Sequence, residues 1–315
     1  LFPYTTLFRS VAPNGDIYVV VAESATTTRV YRSENTGESF SEVAALSTEV
    51  TSVSPRLFVT SDGGLLLYVN QNIDRAQSIL FSRSAGGDDW SEFEPLVRDD
   101  ALVFNFLPDH VSYQGRDYVV FQSFDPNEST NYQLYAKVSE NGGRSWSDAR
   151  IMTDFMTSEE TREDYLEYDN QRPDIAALNG TLAVVWERAA RGEAKEVFYG
   201  ELTEDGAFRT TPERASLAVS SANFPRLFRH RGETYVVWFT NPRGNSNVTL
   251  AARSGGLWLS TTLNPPSGVA AFARPLLARG RLHVFWQYEP PDQSARISYL
   301  EPDQRATPPD PRGAN

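Results

Sequence analysis

The chain has 315 residues, 40% of them hydrophobic and 12% aromatic, which is enough to bury a large core, and its formal net charge is −12. That charge opposes long-range encounter with nucleic acid or an anionic membrane surface, and there is no apolar run of about 18 residues to span a bilayer. Cysteine is absent, so neither a disulfide framework nor thiolate chemistry exists, and the three histidines, His110, His230 and His283, fit no metal-ligand spacing.

In chain order, residues 1–10 (LFPYTTLFRS) resemble translated adapter sequence and are set apart from the domain. From residue 11 a unit recurs. VAPNGDIYVVV supplies a Gly turn and a buried strand, but no convincing strand before them, and the turn SENTGESF follows from Ser33 to Phe40. The second unit reads SPRLFVTSDGGLLLYVN and ends in SRSAGGDDW, and the third reads LPDHVSYQGRDYVVFQ and ends in SENGGRSW at Trp146. RPDIAALNGTLAVVWE with LTEDGAF, and FPRLFRHRGETYVVWF with RSGGLW, make the fourth and fifth. RPLLARGRLHVFWQ opens a sixth, which gives way after a strand near 295–300 to the Pro-rich tail EPDQRATPPDPRGAN.

The turns share one chemistry. Asn folds its side chain onto its own backbone, Gly supplies a positive φ, and the terminal ring anchors the turn in the sheet. The anchoring rings at 40, 90, 146, 208 and 258 recur at a period of roughly 50 residues, the mark of a repeat architecture. Runs such as YVVW and AVVW, bounded by Gly turns, read as buried strands. The predicted fold is all-β: a six-bladed β-propeller of four-stranded antiparallel blades over residues 11–303, with 304–315 as a Pro-rich tail or linker. The sixth blade lacks its fourth strand, and the reading is of a truncated parent and a weakly closed propeller.

The first-to-second and third-to-fourth turns emerge at one end of each blade and are short and Gly-rich. Long polar loops emerge at the other end, where function usually sits. The longest, the blade-to-blade insert at 152–170, carries seven acidic residues and one Arg. It reads as a solvated acidic lid or short helix, with a Ca²⁺ site or a pocket wall as the competing readings.

At the same end, an alignment on proline puts Arg56 and Arg226 one residue after it and Arg172 and Arg274 one before it, with Asp109 and Asp174 in the same columns. Positions two apart on a strand share a face, so four guanidinium groups and two carboxylates are expected around one mouth, fit to hold a sugar carboxylate. A structural set in which each Arg pairs with Asp or with backbone carbonyls is the competing reading. Glu187, Gln122 and Gln287 share a column near that mouth. Glu187 is the candidate acid or base there, against a plain surface Glu, and Trp186, Trp238 and Trp286 read as packing between blades.

The pattern Ser-x-Asn-x-Gly-x-Ser-Trp resembles the Asp-box of the sialidase (neuraminidase) superfamily, with Asn141 and Asn35 where Asp is usual. The resemblance implies a sialidase-like propeller with these turns on the face away from the active site, an acidic-sugar substrate, and an extracellular or periplasmic location. It also implies an Arg triad, a Tyr nucleophile and an Asp acid. The family's Phe-Arg-x-Pro survives only as Phe8-Arg9, and AlaPheAlaArgPro at 271–275 stands where the Tyr is expected. Tyr288 and Tyr299 match neither position, so no catalytic residue is carried over from the family.

Two functions follow. One is a divergent glycoside hydrolase or lyase that uses Arg56, Arg172, Arg226, Arg274 and Asp109 for an acidic sugar, with Asp174 or Glu187 as acid or base and no cofactor or metal. The other is a non-catalytic glycan-binding or protein-interaction module, joined to other domains of a longer parent chain. Asn127, Asn179 and Asn247 each open an Asn-x-Ser/Thr glycosylation pattern.

Overall fold

The computed structural model describes residues 8–300 apart from 74–75, 99–100, 161, 179, 217–220, 241–245, 265–266, 279–280 and 292–293. The repeats fold as expected, into a six-bladed β-propeller. Blade one comprises β1 (Phe8–Val11), β2 (Ile17–Ala22), β3 (Thr27–Ser33) and β4 (Ser41–Ser47). Blade two comprises β5 (Ser52–Val59), β6 (Leu65–Ile73), β7 (Ala76–Ser84) and β8 (Glu94–Pro95), and blade three β9 (Val103–Tyr113), β10 (Arg116–Phe124), β11 (Gln133–Ser139) and β12 (Arg150–Ile151).

Blade four holds β13 (Tyr168–Leu178), β14 (Thr181–Ala190), β15 (Glu196–Leu202) and β16 (Glu213–Arg214), and blade five β17 (Ala222–His230), β18 (Glu233–Thr240), β19 (Asn247–Ser254) and β20 (Leu257–Thr262). Blade six has three strands among the described residues, β21 (Val269–Ala278), β22 (Arg281–Glu289) and β23 (Arg296–Leu300). Within every blade consecutive strands pair antiparallel. Blade one does have a first strand: the short β1 pairs Phe8–Val11 with Ile17–Val20, and it starts inside the segment set apart from the sequence.

The chain divides into two compact units, Leu1–Asp154 with Glu204–Ala207, and Phe155–Thr203 with Phe208–Asn315. Each is held by cores between neighbouring blades. In the first, Tyr18, Val20 and Val30 pack with Leu57, Leu65 and Leu67, and Tyr68 and Phe81 pack with Val119 and Phe121. In the second, Val185 and Tyr199 pack with Val236 and Trp238, and Leu250 packs with Val284 and Trp286. The second strands β6, β10 and β14 are covered on both faces, which is why they read as continuous apolar runs, whereas burial alternates along β2 and β22. Trp238 and Trp286 are buried in these layers, and Trp186 is buried against Phe155, Phe198 and Phe208.

The SENGGRSW turn closes with a fixed hydrogen-bond set. Gly143 N–H donates to Ser139 Oγ at 2.9 Å and Ser145 N–H to Asn141 Oδ1 at 3.0 Å, while Asn141 Nδ2 donates to Ser145 Oγ at 2.8 Å. Asn35 repeats the last two of these contacts with Ser39 in blade one. In the third contact the Ser145 hydroxyl accepts from the Asn141 amide, and because a hydroxyl can equally donate to a carboxylate, Asn and Asp can fill the same place in the turn.

In the second unit, the acidic insert is anchored from 155 onward. Arg188 is 1% exposed and lies 4.3 Å over Tyr168 and 4.6 Å over Phe155. Its Nε donates to Glu160, its Nη1 to Asn170 Oδ1 at 3.0 Å and its Nη2 to Phe155 O at 3.1 Å. A single 3₁₀ turn, Tyr165–Glu167, is capped by Asp164. Among the described residues no three His, Asp or Glu side chains group as a metal site.

Candidate functional site

The first strands carry the local feature that aims the candidate residues. Register slips between Val53 and Arg56, Gln171 and Asp174, Asn223 and Arg226, and Ala271 and Arg274, and β9 also slips, between Asp109 and Phe106. Each slip contains a non-glycine residue in the left-handed region: Ser54 (φ 55°), Leu107 (φ 51°), Arg172 (φ 54°), Phe224 (φ 52°) and Phe272 (φ 54°). Such a conformation costs about 1–2 kcal/mol in an L-residue, and a following proline, present in four of the five, restricts it further. Its recurrence in five blades makes it a property of the repeat.

The bulge reorders the columns. By register, Arg56, Asp109, Asp174, Arg226 and Arg274 are equivalent, standing opposite Tyr68, Val120, Val185, Val237 and Phe285. Arg172 is not in that column. It occupies the bulge itself, level with Phe224 and Phe272, because the extra residue breaks the two-residue alternation that an alignment on proline assumes.

Most of the register column is engaged inside its own unit. In the first unit, Arg56 Nη1 donates to Pro108 O at 2.9 Å and lies 3.5 Å from Asp109 Oδ1, with both residues buried. In the second, Arg226 Nη1 binds Asp174 Oδ1, and Leu227 N–H donates to Asp174 Oδ2 at 2.7 Å. Arg274 Nη1 donates to Ala273 O at 3.3 Å.

Arg172 instead builds a different cluster. Its Nη1 is 2.6 Å from Glu187 Oε2, and Lys195 Nζ reaches the same oxygen at 2.8 Å. Phe224 N–H donates to Glu187 Oε1 at 2.7 Å. The Glu187 side chain is 1% exposed, whereas those of Arg172 and Lys195 are 27% and 29% exposed. Glu187 is therefore a buried carboxylate with two cations and an amide converging on it, not a surface glutamate, and the two cations present their outer sides to solvent. The Arg172 guanidinium lies 4.4 Å over the Phe224 ring, which stacks on Phe239 at 5.6 Å and meets Phe272 edge-on at 5.5 Å. Phe272 is 40% exposed.

In the first unit, Gln122 and Asn70 occupy the register position of Glu187. Asn70 Nδ2 donates to Asn105 O at 3.2 Å, and the Oδ1 atoms of both asparagines are buried without a hydrogen-bond partner among the described residues. Sequence reasoning missed Lys195, Phe224 and Phe272. Lys195 had a signal, being one of only two lysines beside 27 arginines. The two phenylalanines had none, since in FPRLF and AFARP they read as ordinary strand aromatics.

No protein-family model matches the chain, and no curated protein matches its sequence. Solved structures do resemble it. A Penicillium chrysogenum α-L-arabinanase complexed with arabinobiose superposes with a TM-score of 0.64 at 14% identity, over 96% of this chain and 95% of that one. The GH93 α-L-arabinofuranosidase of Fusarium graminearum with arabinobiose gives 0.63 at 11%, over 95% and 93%. The polysaccharide lyase Uly1 gives 0.57 at 12%, over 94% of this chain and 77% of that one. At these identities the likeness is one of fold.

Proposed function

We propose that this is a sialidase-like, carbohydrate-active propeller that recognises an acidic sugar through blades four and five. Arg172 and Lys195 hold the sugar carboxylate, Phe272, which is 40% exposed, offers a face to the apolar side of the pyranose or furanose ring, and Phe224 backs the Arg172 guanidinium. Arg226, Arg274 and, in the other unit, Arg56 and Asp109 are supporting residues whose contacts shape the strand ends. The observation that carries this reading is the Glu187 cluster: two partly exposed cations fixed on one buried carboxylate beside an aromatic group. The resemblance to propellers solved with arabinobiose supports a sugar as the ligand class, and the cation pair is what argues for an acidic one.

Two chemistries remain distinct on this site. In the catalytic reading, a hydrolase or lyase, Glu187 or Asp174 acts as acid or base. The occupation of both carboxylates by internal donors favours the second reading, a glycan-binding module in which Glu187 is a positioning residue that orients Arg172 and Lys195. A glycan array together with fluorogenic sialosides, uronides and arabinosides separates them. Binding of acidic glycans is expected, lost with Arg172→Ala and reduced about tenfold or more with Lys195→Ala. Turnover that vanishes in Glu187→Gln while binding persists selects catalysis. Acidic glycans bound equally by wild type and Arg172→Ala would sink the proposal.

A further inference from the structure

In blades two to four the outermost strand is two residues long: Glu94–Pro95, Arg150–Ile151 and Glu213–Arg214. Short edges that hold a proline or charged side chains leave little backbone for a foreign strand to pair with. Blade one departs from this pattern. Its β4 runs for seven residues, SEVAALS, and pairs with β3 alone. Its only charged residue, Glu42, is tied to Arg29 of β3 at 2.5 Å. Thr48 N–H donates to Thr26 O at 2.9 Å on the β3 side. The alternation of an antiparallel ladder then turns the amides of Ser47 and Ala45 away from β3. Among the described residues nothing pairs with that edge.

A groove of about 790 Å³ runs along it, walled on one side by residues 43–49 and on the other by Leu80, Trp90 and Phe93. Glu49, Asp88 and Glu92 also line the groove, and among the described residues no Lys or Arg does. All three carboxylates are exposed, and none forms an ion pair with another described residue. The groove thus combines a free row of backbone donors and acceptors, apolar and aromatic walls, and three uncompensated negative charges.

We propose that this groove is a docking site for an extended basic segment of a partner protein, which adds as a strand to β4. Main-chain hydrogen bonds to the β4 edge supply affinity, alternate side chains pack on Leu80, Trp90 and Phe93, and Lys or Arg residues meet Glu49, Asp88 and Glu92. A sugar could stack on Trp90, but it would leave the strand edge unused and the three carboxylates unanswered.

Calorimetry on the full chain tests this with a synthetic peptide alternating Lys and Val, its Glu–Val counterpart, and Lys–Val peptides N-methylated at alternate amides in either register. The Lys–Val peptide is expected to bind, more weakly as salt is raised, while the Glu–Val peptide does not. N-methylation in one register abolishes binding and in the other leaves it intact. Asp88→Lys with Glu92→Lys weakens it about tenfold, and Ala45→Pro, which removes an outward amide without breaking the β3 ladder, eliminates it. Circular dichroism establishes that each variant is folded, and the surface charge reversal keeps the test decisive if Ala45→Pro is not. Equal binding of the Glu–Val peptide, indifference to N-methylation in both registers, or absence of binding at millimolar peptide overturns the proposal. So does neutral oligosaccharide binding that is lost on Trp90→Ala, or reversible self-association that is lost in Ala45→Pro.

Discussion

Single residues in this protein are best judged by how many donors and acceptors converge on them. Asp117 at the start of β10 is the clearest case. Its side chain is fully buried and accepts from Ser61 N–H at 2.9 Å, Ser61 Oγ at 2.6 Å, Ser112 Oγ at 2.6 Å and His110 Nε2 at 3.1 Å. His110 Nδ1 in turn lies 3.1 Å from the Tyr68 hydroxyl, which donates to it once Nε2 carries the ring proton. Burial pushes the Asp117 carboxyl up, but the hydrogen bonds from His110, Ser112 and Ser61 together outweigh it and leave its pKa below the ordinary 3.8. A depressed folded-state pKa stabilises the fold above the unfolded value and loses that stabilisation as pH falls through the folded one. Asp117→Asn is therefore expected to cost about 2–3 kcal/mol near neutral pH, by urea denaturation, with the gap to wild type closing as pH drops below 3.8. A gap that stays constant to pH 2 would show that Asp117 is not the titrating group. The same reasoning separates Glu187 from a surface glutamate. Nothing in VVWER betrays a buried carboxylate, because its three partners, Arg172, Lys195 and Phe224, come from three different elements.

At the scale of the element, the turns and second strands were fully legible and the first strands were not. Gly turns and Val-aromatic runs depend on neighbours a few residues away, so periodicity finds them. The first-strand bulge depends on pairing with the next strand. Aligning on proline therefore put Arg172 beside Arg274, whereas the register pairs Arg274 with Arg226 and leaves Arg172 level with Phe224. The turn glycines show how much of such a signal is conformation and how much is packing. Gly143 has φ 78°, and a Cβ there would lie 2.6 Å from Leu66 Cδ1, whereas Gly115 has φ 77° with nothing within 4 Å. Gly115→Ala bears only the left-handed penalty of about 1 kcal/mol, while Gly143→Ala must also displace a core leucine and is expected to lose about 3 kcal/mol or more by chemical denaturation. Equal losses would mean that the blade-two core yields to the turn without strain.

For the whole molecule, repetition made the fold readable: six copies of one turn-and-strand grammar leave a propeller as the natural packing. Function was less legible, since a fold shared with an arabinanase and a polysaccharide lyase leaves the ligand to the side chains, and those that meet here are distant in sequence. Net charge supplies a test that acts on both proposed sites at once. The chain carries −12 overall, so an acidic oligosaccharide approaching Arg172 and Lys195 must cross a repulsive far field before it meets the local attraction. A basic peptide approaching the β4 groove is drawn in by the same field. Raising the ionic strength from about 0.01 to 0.15 M shortens the screening length from about 30 to 8 Å, which removes the far field while leaving contact pairs largely intact. Stopped-flow association rates are therefore expected to move in opposite directions with added salt, rising for the acidic sugar and falling for the Lys–Val peptide. If both rates fell together, the local cations would dominate even at long range and the sugar site would be more strongly positive than the Arg172–Lys195–Glu187 cluster alone provides.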